Sequence, residues 1–431
     1  MRRIRLLIAA LLVAFLASTG ASTAGTAPVR VRFVSLAWQK TAVEAVKEVV
    51  TAWNRTNPAI QVDYAQVDWG AIHDYMLTSF QTGNVPDVFH YESIPILDFA
   101  KRGFLTDLTP MITSEMRADI FPGAWQTVLS EGGKIHAVPY LWESLIIIYN
   151  KKLFRDAGIT PPTKEKPWTW DDLQRAAKTM TKDLNGDGRT DQFGAAIGLR
   201  SPVNRVLNLS IGFGGNYFYV QGGRNVVLVG EAERALLTIL MNMLYVDKTA
   251  SPDGLGRGSP ELIPGFLAGR YAMLPGIGVW ARQSLVETAP ADFEWGVLPP
   301  LKAKTQYQGS ATQTLSIPAA AKNKEAAWRF IEFALSRDNM AKQALGDWLF
   351  PTRQSSIRLS GFTTTKYGWD VSTDSVRFLR MAPWQKVLGY SEWRTRLATP
   401  LMNELFANRI TLDQFAERVV AGSAEILDRY R

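Results

Sequence analysis

Residues 132–155 read Gly-Gly-Lys-Ile-His-Ala-Val-Pro-Tyr-Leu-Trp-Glu-Ser-Leu-Ile-Ile-Ile-Tyr-Asn-Lys-Lys-Leu-Phe-Arg. Two apolar runs of strand length, 135–138 and 145–149, flank Trp142 and Glu143. An otherwise apolar segment has little reason to carry a carboxylate unless that group faces a ligand or a partner charge. Side chains alternate along a strand, so only one of Trp142 and Glu143 need face a ligand, unless the backbone turns between them.

Working outward, residues 29–36 alternate as a strand does, and Val43, Val46, Val50 and Trp53 recur at helical spacing until Asn57-Pro58 stops the helix. Residues 60–67 alternate again, so the chain opens βαβ, the sign of a parallel sheet under helices. Short strands are expected at 86–91, 271–274 and 295–298, and helices at 96–104, 232–245 and 326–335. Thr169 with Asp172, and Thr411 with Gln414, predict helix N-termini of the capping-box type. At 431 residues, 46% of them hydrophobic, the chain is long enough for two domains or more. No linker composition separates them, as expected of two α/β lobes crossed by the chain more than once.

Arg2, Arg3 and Arg5, the apolar run 6–17 and the small residues after it read as a signal peptide, 1–24, with Ala21 or Ala24 preceding the cut. The run is shorter than the about 20 residues that span a bilayer, and a short anchor helix is the alternative. The chain has no cysteine, which removes disulfides, thiolate chemistry and anchoring through an N-terminal lipidated Cys. The expected location is therefore outside the cytoplasmic membrane, periplasmic or extracellular. The formal charge of +8 is scattered, without basic blocks, and argues against a nucleic-acid partner. Three histidines, at 73, 90 and 136, have no metal-ligand spacing, and neither a nucleophile elbow nor a P-loop is present. A glycosidase needs only two carboxylates, so a secreted carbohydrate-active enzyme stays open as a rival.

Aromatics beside polar residues carry the positive signal: Trp38-Gln39, Asp68-Trp69, Trp142-Glu143, Trp280, Asp347-Trp348 and Trp393. Sugars present C–H faces that stack on rings and hydroxyls that pair with acids and amides, and a site that pairs hydroxyls discriminates strongly. In open α/β sheets such ligands collect at strand ends. Core packing is the competing reading for each tryptophan. Separately, Asp183, Asn185, Asp187 and Asp191, with Gly188 at the turn, partly match a calcium loop, with Gly194 where a bidentate Glu is expected. A solvated turn is the alternative there. No catalytic residue and no cofactor beyond that calcium is expected.

Gly83-Asn-Val-Pro-Asp-Val-Phe89, the segment 132–154, Thr169-Trp-Asp-Asp-Leu173 and Phe266-Leu-Ala-Gly-Arg-Tyr-Ala-Met273 stand in the order found in family-1 bacterial extracellular solute-binding proteins, which the chain resembles over nearly its whole length. The resemblance implies the type II two-lobed periplasmic-binding-protein fold, with ligand held between lobes joined by a multi-crossing hinge. It places lobe one at 28–140 plus 290–337 and lobe two at 141–289 plus 338–431. It further implies capture of a mono- or oligosaccharide by a monomer that delivers it to ABC transporter permease subunits. Trp38, Gln39, Tyr91, Glu92, Glu143, Trp280, Ser310, Thr312 and Trp393 match ligand-facing positions, and Asp68, Trp142 and Trp348 join them on local chemistry. Polyamine, glycerol phosphate or iron are the rival solutes, and Arg353 is the candidate cation for a phosphate. Ser201-Pro202-Val203 replaces the acid and aromatic of the family's maltodextrin binders, so maltodextrin specificity is not implied.

Overall fold

A computed structural model describes residues 27–430; the expected signal peptide lies outside them. Strand β1 (Val29–Ser35) buries Val31, Phe33 and Val34, and the helix Lys40–Thr56 lays Ala42, Val46, Val49, Val50 and Trp53 over it. β2 (Ile60–Gln66) pairs with β1 in parallel, residue for residue from Val29↔Ile60 to Ser35↔Gln66. β3 (Val88–Glu92) lies parallel on the other side of β1. β4 (Ala137–Trp142) is buried along its whole length, as its apolar sequence requires. β5 (Leu145–Asn150) follows after two residues.

The remaining strands are β6 (Phe218–Gln221), β7 (Arg224–Val227), β8 (Met273–Gly278), β9 (Trp295–Leu298), β10 (Gln308–Ser310), β11 (Thr312–Ser316), β12 (Phe350–Pro351) and β13 (Leu379–Met381). The order β12-β4-β11-β3-β1-β2 makes a six-stranded sheet, and β8-β5-β9 makes a separate three-stranded one. β6 and β7 form a hairpin, and β10 pairs in parallel with β13. The fold is the two-lobed α/β architecture that the βαβ opening and the apolar runs predict.

Both expected capping boxes are present, at Thr169 and at Thr411. The apolar stretch after Gly230 is helical over Glu231–Met241 and continues with π-type bonding over Asn242–Val246.

Two lobe boundaries differ from expectation. Residues 290–337 were expected in lobe one, yet β9 pairs with β5 of the smaller sheet. Residues 338–431 were expected in lobe two, yet β12 pairs with β4, and the helix Arg337–Gly346 packs on the helix Lys40–Thr56. Strand character is local and legible, whereas the pairing partner is not local, so β9 is recognisable as a strand in the sequence while its sheet is not.

Arg353 belongs to this shift. It is 4% exposed, donates to the Leu335 carbonyl (2.6 Å), and pairs with Glu115 (2.6 Å) and Asp119 (2.9 Å) in lobe one. Burial alone would raise the Asp119 carboxyl, but hydrogen bonds from Ser355 and Arg353 outweigh it and hold it below the usual range. A depressed carboxyl contributes stability above its unfolded value and loses it as pH falls. Arg353→Met should therefore cost about 2 kcal/mol at neutral pH, because Asp119 loses its charge-assisted bond and keeps only those from Ser355. Urea unfolding at pH 7 and at pH 3 measures this, and the cost should shrink at the lower pH.

Candidate functional site

The chain leaves the six-stranded sheet at Trp142 and enters the three-stranded sheet at Leu145. It leaves the smaller region again at Ser310 and re-enters the larger sheet at Thr312, with Ala311 between. The two crossings run side by side and are tied by side chains. Gln308 accepts from the Leu145 N–H (2.8 Å) and donates to its carbonyl (3.1 Å), imitating a strand pair. The Ser310 hydroxyl donates to the Glu143 carbonyl (2.7 Å). Ser144, between Glu143 and Leu145, is fixed by the Ser375 hydroxyl (2.9 Å) and by the Val279 N–H on its carbonyl (3.0 Å).

A cleft of about 470 Å³ opens over these crossings. Glu143 lines it. Its carboxylate accepts from the Trp280 indole N–H (3.0 Å), and Trp280 meets Trp38 edge-on with ring centroids 5.9 Å apart. Gly278 is needed beside this contact. A Cβ there would lie 2.4 Å from both Glu143 Oε1 and Trp280 Nε1, too close for either atom.

The lobe-one wall is Trp38, Gln39, Trp69, Glu92, Gln313 and Asp347. Asp347 arrives by an unusual helix end. The helix Arg337–Gly346 closes with the Leu349 N–H on the Ala344 carbonyl (2.9 Å) and the Trp348 N–H on the Leu345 carbonyl (3.3 Å), which is a Schellman motif. Its left-handed position, usually glycine, is Trp348 at φ 54°, a conformation costing a side chain about 1 kcal/mol. Trp348 stacks on Trp369 (5.5 Å, 21°), and the buried Arg282 guanidinium lies 5.4 Å from the Trp348 ring and 3.9 Å from that of Trp369. The motif sends Trp348 to that stack and Asp347 to the cleft. Gln313 is aimed by His90. The His90 ring accepts from the Leu36 N–H on Nδ1 (3.2 Å) and meets Gln313 Oε1 through Nε2 (2.7 Å), so its proton sits on Nε2. Burial lowers the His90 pKa to about 4, which keeps the ring neutral.

The lobe-two wall includes Ser201, Asn204, Arg205, Asn208 and Trp384. Arg205 donates to the carbonyls of Gly276 (2.6 Å) and Gly198 and to the Ser259 hydroxyl (2.5 Å), so each guanidinium nitrogen is committed to lobe two. Burial lowers its pKa to about 10, with Glu143 pulling the other way.

Of the residues expected from sequence, Trp38, Gln39, Glu92, Glu143, Trp280, Ser310 and Thr312 line the cleft. The others stand elsewhere. Asp68 uses its carbonyl to start the next helix, and its neighbour Trp69 takes the wall. Tyr91 is 7% exposed, with its hydroxyl on His73 (3.3 Å). Trp142, the last residue of β4, is 2% exposed and packs against Phe121 and Gly123. Trp348 is in the stack just described. Arg353 is locked to Glu115 and Asp119. Trp393 is fully buried and donates to Ser423 (2.7 Å). In the 183–191 loop the acids accept the loop's own N–H groups: Asp183 from Gly186 (2.7 Å) and Gly188 (2.8 Å), and Asp191 from Leu184 (2.7 Å). Among the described residues no three His, Asp or Glu side chains gather as metal ligands, so the calcium expectation gains no support from this geometry.

The acids dominate the cleft. Burial raises the Glu143 carboxyl to about 7, against the Trp280 hydrogen bond, with Glu92 adding repulsion. Burial raises Asp347 to about 7 as well, against a Gln313 hydrogen bond and with Glu143 adding repulsion. Burial also raises Glu92, against the attraction of Arg394. Aromatic faces beside acceptors suit a ligand with an apolar face and many donors.

The family model described as bacterial extracellular solute-binding protein matches residues 37–341. An uncharacterized lipoprotein in the oleD 5′ region of Streptomyces antibioticus is 38% identical, covering 95% of this chain and 89% of that protein. Its description as a lipoprotein is at odds with the expectation of a chain not anchored through an N-terminal cysteine. The sugar-binding protein MalE of Xanthomonas citri shares the fold at TM-score 0.79 with 22% identity, covering 93% of this chain and 98% of that one. The GacH receptor of Streptomyces glaucescens, solved unliganded and with acarbose, matches at TM-score 0.76 with 21% identity, covering 94% and 100%.

A raised carboxyl favours the folded state below its unfolded value, and that contribution is lost as pH rises towards the folded one. Glu143→Gln imitates the protonated group. Its melting-temperature gain over wild type should therefore be larger at pH 8 than at pH 4.5, and scanning calorimetry of both proteins reads this directly.

Proposed function

This chain belongs to the bacterial extracellular solute-binding protein family, and from that premise we propose that it captures a mono- or oligosaccharide in the Glu143 cleft and delivers it to an ABC permease pair outside the cytoplasmic membrane. The observation that carries the ligand class is the cleft itself: Trp38, Trp69 and Trp280 supply faces for sugar C–H groups, and Glu143, Asp347, Gln39 and Gln313 supply acceptors and donors for hydroxyls. Closure of the lobes about the paired crossings at 143–144 and 311 would bury the ligand. The neighbours named for acarbose and for cyclic α-maltosyl-1,6-maltose support a carbohydrate of some kind, and the particular sugar is left to experiment.

Phosphate esters fit poorly. Three carboxylates face the cleft, and Arg205, the lining cation, is committed to lobe-two carbonyls and Ser259. A catalytic reading fits poorly too. The family and the neighbours named above are binding proteins, which is what supports a receptor over an enzyme.

A thermal-shift screen with mono- and oligosaccharides, followed by calorimetry on the hits, tests the reading. Stabilisation by at least one saccharide without turnover is expected. Stabilisation by a phosphate ester alone would refute it. Glu143→Ala should weaken binding by more than tenfold, about 1.4 kcal/mol, with little loss of stability.

A further inference from the structure

Four cleft-lining side chains leave a polar atom both buried and without a partner. Three are acceptors: Gln39 Oε1, Asn208 Oδ1 and Asp347 Oδ1. One is a donor, the Trp384 indole N–H. Gln39 and Asp347 are 6% and 5% exposed and adjoin, the Gln39 amide nitrogen lying 3.5 Å from the Asp347 carbonyl. An unpaired buried acceptor is costly, so several of them on residues lining one cleft suit a ligand rich in donors. The charge balance has the same sense. Glu92, Glu143 and Asp347 line the space, and Arg205 directs one N–H from each of its nitrogens to Gly198, Gly276 and Ser259.

Resting on the sugar-site reading above, we propose that the ligand is an amino sugar, its ammonium nitrogen seated at the lobe-one wall on Asp347 and Gln39. A hydroxyl brings one proton and satisfies one of those two acceptors. An ammonium brings three, can satisfy both, and sets a positive charge against Asp347. Trp38, Trp69 and Trp280 around the same space favour a cation over a neutral group. Lobe-one placement also gives an order of events, with the charged group engaged by one wall before lobe two closes over the neutral ring.

Calorimetry at pH 7 with matched pairs tests the idea: glucosamine against glucose, chitobiose with free amines against cellobiose, and trehalosamine against trehalose, with spermidine as a cation that is not a sugar. The amino member of at least one pair should bind about tenfold tighter than its neutral partner. Asp347→Asn should erase that advantage, costing the amino member about tenfold more affinity than it costs the neutral partner. Neutral sugars binding as tightly as their amino partners would overturn the amine assignment and leave the sugar reading intact. Spermidine binding alone, sensitive to Asp347→Asn, would keep the amine seat and remove the sugar. No binding by any of the seven would overturn both. Should Asp347→Asn fail to fold, Gln39→Leu gives the same reading, because it removes the neighbouring acceptor and leaves the Leu349 and Trp348 bonds that close the helix.

Discussion

Two residues separate a strand of the six-stranded sheet from a strand of the three-stranded one. Glu143 and Ser144 have no room to wander, and neighbours on three sides hold them: Ser310, Ser375 and the Val279 N–H. A carboxylate at that place must stand in the joint between the sheets, whatever else the chain does. Gln308 and Ser310 stitch the second crossing to the first, so the joint is a pair of short strands of chain rather than a loop. Trp280 reaches Glu143 because β8 ends beside β5 and because Gly278 leaves the space open.

The cleft sets buried negative charge against aromatic surface. Three acids repel one another, burial raises their carboxyls, and the nearest cation is held by the lobe-two backbone. In the ligand-free molecule this is an unfavourable arrangement, kept where the surrounding structure fixes it. Such a cluster becomes favourable when donors arrive from outside. The cleft is thus where buried acids gather, while Arg353 and Trp393 are settled in the lobes by their hydrogen bonds.

Much of the fold was legible because it is local. The βαβ opening, the two capping boxes and the apolar run around Glu143 depend on near neighbours in sequence. Glu143 itself was conspicuous as an acid in an apolar setting. Pairing was not legible in the same way: β9 read correctly as a strand and was assigned to the wrong lobe. A tryptophan beside a polar residue marked the right places without saying which side chain faces the ligand. At Asp68-Trp69 the tryptophan lines the cleft, at Asp347-Trp348 the acid does, and at Trp142-Glu143 the acid does again, just past the end of β4. Asp347 was the hardest to find, since the left-handed turn that presents it carries Trp348 rather than the glycine that would have signalled it. Asn204, Arg205 and Asn208 sit on a short helix, Val203–Ser210, whose sequence carries no ligand signal of its own.

The central claim is that the Glu143 joint is where a carbohydrate is held. A crystal structure with the tightest-binding saccharide from the screen tests it most directly. The account predicts the sugar between the two sheets, a ring face against Trp38, Trp69 or Trp280, and a ligand donor on Glu143 or Asp347. A saccharide bound outside that cleft, or inside it with both carboxylates left without a ligand contact, would contradict it.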